Sequence, residues 1–178
     1  QIEPTTHSLS SLAYHETPAP SIIGEWRDSC RDVLCNLYSY ATLSTDAIAQ
    51  LKAVLVARNI HSIIELGAGT GYMAKVLADH GLVVDAFDIN PPNHSMNEYH
   101  GQTDTFYPVK AGTVDCLRGR KIVNEALLLC YPPPQSEMAH DALKAYAESG
   151  GQCLIHVGEI AGLTGSASFE AMLKNNFE

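Results

Sequence analysis

Residues 62–81 read SIIELGAGTGYMAKVLADHG, and their pattern decides the class of the fold. Ser62-Ile63-Ile64 opens an apolar run of the kind carried by a strand buried on both faces. From Tyr72 the apolar residues recur at helical spacing, and Gly81 supplies the stop. Between strand and helix, Gly67, Gly69 and Gly71 alternate with small residues, so the backbone can take positive φ and approach a ligand closely. Strand, glycine turn and helix make the first half of a βαβ unit. The first backbone N–H groups of the helix have no intrahelical partner and suit a carboxylate or a phosphate equally well. The glycines alone therefore do not name the ligand.

Working outward, the spacing is G-x-G-x-G, with Tyr72 where the dinucleotide fingerprint has its third glycine. Glu65 stands two positions before the first glycine. The next strand, LVVDAFDIN, carries Asp88 at its end, about 20 residues past the glycines, where a carboxylate can accept ribose hydroxyls. The pattern E-x-G-x-G-x-G resembles motif I of the class I S-adenosylmethionine methyltransferases. That resemblance implies a Rossmann-like α/β fold with a doubly wound, mostly parallel sheet. It also implies a glycine loop beside the aminocarboxypropyl end of S-adenosylmethionine. The cofactor contacts expected on this basis are Glu65, Gly67, Ala68, Gly69, Thr70, Gly71, Tyr72, Asp88, Ile89 and Cys130.

The later segments extend the likeness. Ala126 to Cys130 in EALLLCYPPP is a continuous apolar run ended by three prolines, which reads as a central strand. Ligands in open parallel sheets bind beyond the carboxyl ends of the strands, so Cys130, Tyr131, Pro132 and Pro133 are expected to flank the reacting methyl group. Motif IV of amino-group methyltransferases reads (D/N/S)-P-P-aromatic; here the aromatic precedes the prolines. Asn90-Pro91-Pro92 mimics that motif but follows the second strand, and it receives no catalytic role. A short third strand is expected around Phe106 to Val109, and GQCLIHVGE is the fifth, with His156 and Glu159 near its end. Ser136 is read as the cap of the helix SEMAHDALKAYAES, and ASFEAMLKNNFE as the last helix, with Phe169, Met172 and Leu173 on one face. Taken together, YSYA, ELGAGTGY, DAFDINPP, LLLCYPPP and HVGE followed by TGS resemble one group of class I methyltransferases in which an aromatic-Pro-Pro replaces motif IV. The implied activity is methyl transfer to a small molecule or a protein side chain. Tyr131 then flanks the acceptor, with Glu159, or His156 in second place, as base.

Upstream, residues 1–24 hold no Lys or Arg and carry Pro4, Pro18 and Pro20, so they read as an irregular arm ahead of a single domain from 25 to 178. Trp26, Cys30, Val33, Leu34 and Leu37 recur at helical spacing from Glu25 to Tyr40. A second helix starts at Ser44 or Thr45 and presents Ile48, Leu51 and Leu55. Tyr38 and Tyr40 are placed either near the cofactor's methionine part or in simple packing. The formal charge of −9 argues against a broad nucleic-acid surface. Arg118, Arg120 and Lys121, the one basic group, read as a solvated turn. No apolar run is long enough to span a membrane. Five cysteines without a C-x-x-C read as reduced core residues, which implies an intracellular and most simply cytoplasmic setting. The His and Cys spacings give no metal site.

The family has seven strands ordered 3-2-1-4-5-7-6, and only five are countable here, without the terminal β6/β7 hairpin. An uncovered fifth strand is an edge that invites pairing. The chain is accordingly expected to continue past Glu178 or to sit in a larger assembly, with a protein partner on that edge. Two other functions remain open: a methyltransferase-like domain kept as a structural subunit, and an NAD-dependent enzyme.

Overall fold

A computed structural model describes residues 21–176, so all but the last four residues of the expected N-terminal arm lie outside the described residues. Five strands form one sheet: β1 (Ser62–Leu66), β2 (Val84–Asp88), β3 (Val109–Ala111), β4 (Glu125–Cys130) and β5 (Leu154–Val157). Every pairing is parallel, and the order is β3-β2-β1-β4-β5. The helices are α1 (Ser21–Trp26), α2 (Asp32–Leu37), α3 (Thr45–Ala57), α4 (Tyr72–Asp79), α5 (Met138–Glu148) and α6 (Ala167–Asn176).

Because side chains alternate along a strand, the sheet has two covered faces. On one face Ile63, Ala86, Ala126 and Leu128 meet Ile48 and Leu55 of α3 and Met73, Ala74 and Leu77 of α4. On the other, Ile64, Leu66, Leu127 and Leu129 meet Leu143 and Tyr146 of α5 and Phe169 of α6. The four residues from Ala126 to Leu129 are fully buried, as a central strand between two helical layers requires. Each such leucine contributes about 1.5–3 kcal/mol of burial.

Local chemistry explains the boundaries of the elements. Ser44 caps α3 by accepting from the Ala47 N–H at 3.2 Å. Gly81, at φ +82°, follows the end of α4. α5 begins one residue later than a Ser136 cap implies, with Glu137 in the cap position; the Ser136 hydroxyl still accepts from Met138 N at 3.3 Å.

Three expectations need correction. The helix expected from Glu25 to Tyr40 is broken, with a π-helical turn at Arg27–Arg31 between α1 and α2. Its apolar stripe does not face the core: Trp26 is 56% exposed, and Val33, Leu34 and Leu37 are about half exposed as well. Among the described residues of that segment only Cys35 is buried. The third strand begins at Val109 and not at Phe106, because the Phe106 N–H is taken by Thr70 O at 2.9 Å. The five cysteines are all free, but only Cys35 and Cys153 are core residues; Cys30 is exposed.

Among the described residues β5 pairs only with β4, and its side chains are half-buried, where those of β4 are sealed. No described helix is long and apolar enough to cross a membrane. The basic turn is engaged with acids: Arg118 with Asp115 at 2.7 Å, and Arg120 with Glu125 at 2.9 Å.

Candidate functional site

The strand order reverses between β1 and β4, and in open α/β sheets ligands settle at that point, beyond the carboxyl ends of the strands. Alternation puts Glu65, Asp88 and Cys130 on one face there, in line with Ile63, Ala86 and Leu128 beneath them. Three of the residues expected to contact a cofactor are thus brought to one face at the strand ends.

The glycine loop is tied to β2. Gly67 N and Ala68 N both donate to Phe87 O at 2.9 Å, and Gly71 N donates to Ala68 O at 2.8 Å. Gly69 N donates to Asp88 Oδ2 at 2.8 Å. The N–H groups of these four residues are thus satisfied within the protein. Gly69 sits at φ +52° and Gly71, the residue before α4, at φ +73°, where a side chain would be strained.

Asp88 is 6% exposed. Besides the Gly69 bond, Oδ1 accepts from Asn90 N at 2.9 Å and from Asn97 Nδ2 at 3.2 Å. A carboxylate offers about four lone-pair positions, so Oδ2 can take one further hydroxyl as the site stands. Accepting two ribose hydroxyls requires the Asn97 bond to open. Ile89, next to it, is 68% exposed and free to face a ligand.

Glu65 is 1% exposed. Its carboxyl accepts the Ala74 N–H in the first turn of α4, while Oε2 is sealed with no hydrogen-bond partner among the described residues. Burial first, and the nearby Asp88 second, push this acid up to about 8. Burial and the neighbouring Glu65 push the Cys130 thiol up to about 12, so it stands as a neutral S–H and not a thiolate nucleophile.

The other expected contacts do local work. Thr70 is buried, and its hydroxyl donates to Tyr38 O. Tyr72 packs edge-on against Tyr38 and Phe106, at 5.3 and 5.4 Å between ring centroids. Tyr131, the residue after β4, sits at φ +50°, an uncommon conformation for a bulky residue. Its ring stacks on Tyr40 at 5.8 Å. Tyr40 in turn meets Tyr99 and His100 edge-on. Of the YSYA pair, Tyr38 braces the loop and Tyr40 covers Tyr131.

Glu159 lies beyond β5, exposed, with Oε2 accepting from Leu163 N at 2.9 Å. His156 packs edge-on against Phe169 at 5.2 Å, and burial lowers its pKa. The structure does not bring either side chain into the cluster around Glu65 and Asp88. Among the described residues no group of three His, Cys, Asp or Glu side chains is placed to hold a metal ion.

Sequence reasoning missed Asn97 and His100. Both lie in the polar stretch read as a loop, where no periodicity marks them. Asn97 Nδ2 also donates to Asn90 O at 2.8 Å, and Asn97 Oδ1 accepts from Tyr99 N and His100 N. His100 Nδ1 donates to Asn36 O at 2.8 Å, and its ring lies against Gly69: a Cβ there would meet Nε2 at 2.5 Å. A Gly69→Val change would therefore strike His100 before it reached any ligand. A cavity of about 410 Å³, lined by Arg58, Asn124, Glu125 and Gln152, lies at the opposite, amino-terminal end of the sheet.

Comparisons with protein-family models, with curated proteins and with solved structures give no match to this chain.

Proposed function

We propose that the chain is an S-adenosylmethionine-dependent methyltransferase of Rossmann-like fold, acting on a small molecule or a protein side chain. The observation that carries this reading is the bond from Gly69 N to Asp88 Oδ2, which joins the glycine loop to the acid at the strand ends beside the switch point. An NAD reading has the same Asp but lacks the third glycine, Tyr72 standing in its place.

The fit to the cofactor can be judged residue by residue. Glu65 supplies a sealed, unpartnered carboxyl oxygen for a cationic group. Asp88 has a free acceptor position for a ribose hydroxyl, and exposed Ile89 offers an apolar face for a base. The cofactor would supply an electrophilic sulfonium methyl. The chain's own part is to hold the two reactants in line, where positioning is worth effective molarities of about 10⁵ M or more. Tyr131, fixed at the end of β4 by its N–H to Val157 O at 2.6 Å, is the residue best placed to face an acceptor.

One observation favours a second reading, a domain retained without catalysis: the His100 ring lies on Gly69. A calorimetric titration with S-adenosylmethionine, its demethylated product and NAD separates the readings. We expect the first two to bind and NAD not to. Asp88→Ala should weaken S-adenosylmethionine by about 1–3 kcal/mol through loss of charge-assisted hydrogen bonds. A folded protein with no affinity for S-adenosylmethionine refutes the assignment.

A further inference from the structure

We propose that Glu65 is neutral in the unliganded protein and gives its proton to solvent when the cationic end of S-adenosylmethionine settles beside it. Binding and proton release are then one event. The inference rests on the methyltransferase reading for its ligand, but its premise about Glu65 stands on the structure.

The geometry leaves little alternative for an unliganded carboxyl. Glu65 is 1% exposed, on a face otherwise built from Ile48, Ile63, Met73, Ala74 and Leu128. An isolated carboxylate in such surroundings is far more costly than the neutral acid. The groups that face it do not offset this. From β2 comes Asp88, whose negative charge opposes a second one. From β4 comes Cys130, held as a neutral thiol. From α4 comes only the Ala74 N–H, and from α3 only apolar side chains. The covering loop places the His100 ring on Gly69, with its Nδ1–H committed to Asn36 O. Among the described residues no lysine or arginine acts on Glu65.

A cation brought to this carboxyl changes the balance, because an opposite charge favours the ionised form. S-Adenosylmethionine carries its sulfonium and an α-ammonium group. The O–H bond of Glu65 breaks, the electron pair stays on the carboxylate, and the proton leaves to buffer. With Glu65 held at about 8, affinity should rise toward tenfold per pH unit below that value and level off above it.

The experiment is calorimetric titration of the 178-residue chain with S-adenosylmethionine at about pH 6.5, in buffers of different ionisation enthalpy. At that pH an α-amino group, with a pKa of about 7.7–8.0, is already charged and contributes no proton of its own. We expect close to one proton released per ligand, and none in Glu65→Gln. Infrared spectroscopy of unliganded protein with isotope-labelled glutamate supplies an independent readout. A protonated-carboxyl band should be present at that pH and lost in Glu65→Gln; its absence from the wild-type protein overturns the inference even if the variant does not fold. Binding without proton release overturns the inference and leaves the cofactor reading intact. No binding by folded protein overturns both.

Discussion

Removing the His100 side chain should strengthen cofactor binding while weakening the fold, two effects of opposite sign from one contact. The ring rests on Gly69, donates to Asn36 O at 2.8 Å and meets Tyr40 edge-on at 6.1 Å. The hydrogen bond is worth about 0.5–1.5 kcal/mol net, and the ring pair about as much again. Half-burial of His100 puts both toward the lower end. A ligand that lies along the glycine loop must first displace this ring, so its apparent affinity is reduced by the cost of breaking those contacts. His100→Ala removes that cost beforehand. We expect S-adenosylmethionine to bind tighter by about 1–2 kcal/mol, which is about 5- to 30-fold. Denaturant unfolding of the unliganded variant should show a loss of similar size. Titration calorimetry and urea melts on the same preparations measure both. A variant that is less stable yet binds S-adenosylmethionine with unchanged or weaker affinity refutes the idea that His100 lies in the ligand's way.

Two further outcomes test the frame around the site. The fully buried Tyr146 hydroxyl lies within hydrogen-bond distance of Glu125 O at 2.7 Å and Cys153 O at 2.9 Å, and accepts from Cys153 N at 3.0 Å. Tyr146→Phe leaves that N–H unpaired between β4 and β5 and should cost about 1–3 kcal/mol in a denaturant melt. The second outcome concerns pH: Glu65 is raised from the ordinary carboxyl range to about 8, so between those limits the folded state binds more protons than the unfolded one. Stability from this group is full below the unfolded value and falls as pH rises through the folded one. Unliganded wild type should therefore lose stability from about pH 5 to 8 relative to Glu65→Gln, and parallel curves for the two proteins would rule the raised acid out.

The parallel sheet was legible because its signals are local and strong. Ile63-Ile64 and Ala126–Cys130 are runs that only a strand covered on both sides can carry, and Gly67, Gly69 and Gly71 mark the turn that joins strand to helix. Asp88 was legible from its distance to those glycines. The segment from Glu25 to Tyr40 misled because helical spacing says that residues share a face, not that the face is buried. Trp26, Leu34 and Leu37 recur at that spacing, and all three are exposed. Glu159 shows a related limit of position along the chain. Nearness to a strand end placed it at the site, but Leu163 N–H holds its carboxylate in the loop that follows.

The stretch between β2 and β3 had no pattern to read, yet it organises the site. Its attachments are single hydrogen bonds to partners far apart in the chain. Asn97 reaches back to Asp88 and Asn90, His100 reaches Asn36, Thr103 N donates to Pro92 O, and Phe106 N donates to Thr70 O. One end of the loop is therefore fastened to the acid at the tip of β2, and the other to the glycine turn after β1. Asn97 occupies an acceptor position on Asp88, and His100 occupies the face of Gly69. Both are groups that a cofactor would claim, and they are three residues apart on the same loop. A ligand that takes up one position loosens the residue that guards the other, so opening the Asn97 bond and lifting the His100 ring should be coupled. The double variant Asn97→Ala/His100→Ala should then bind S-adenosylmethionine with less than the summed gain of the two single changes, since each relieves part of one shared cost.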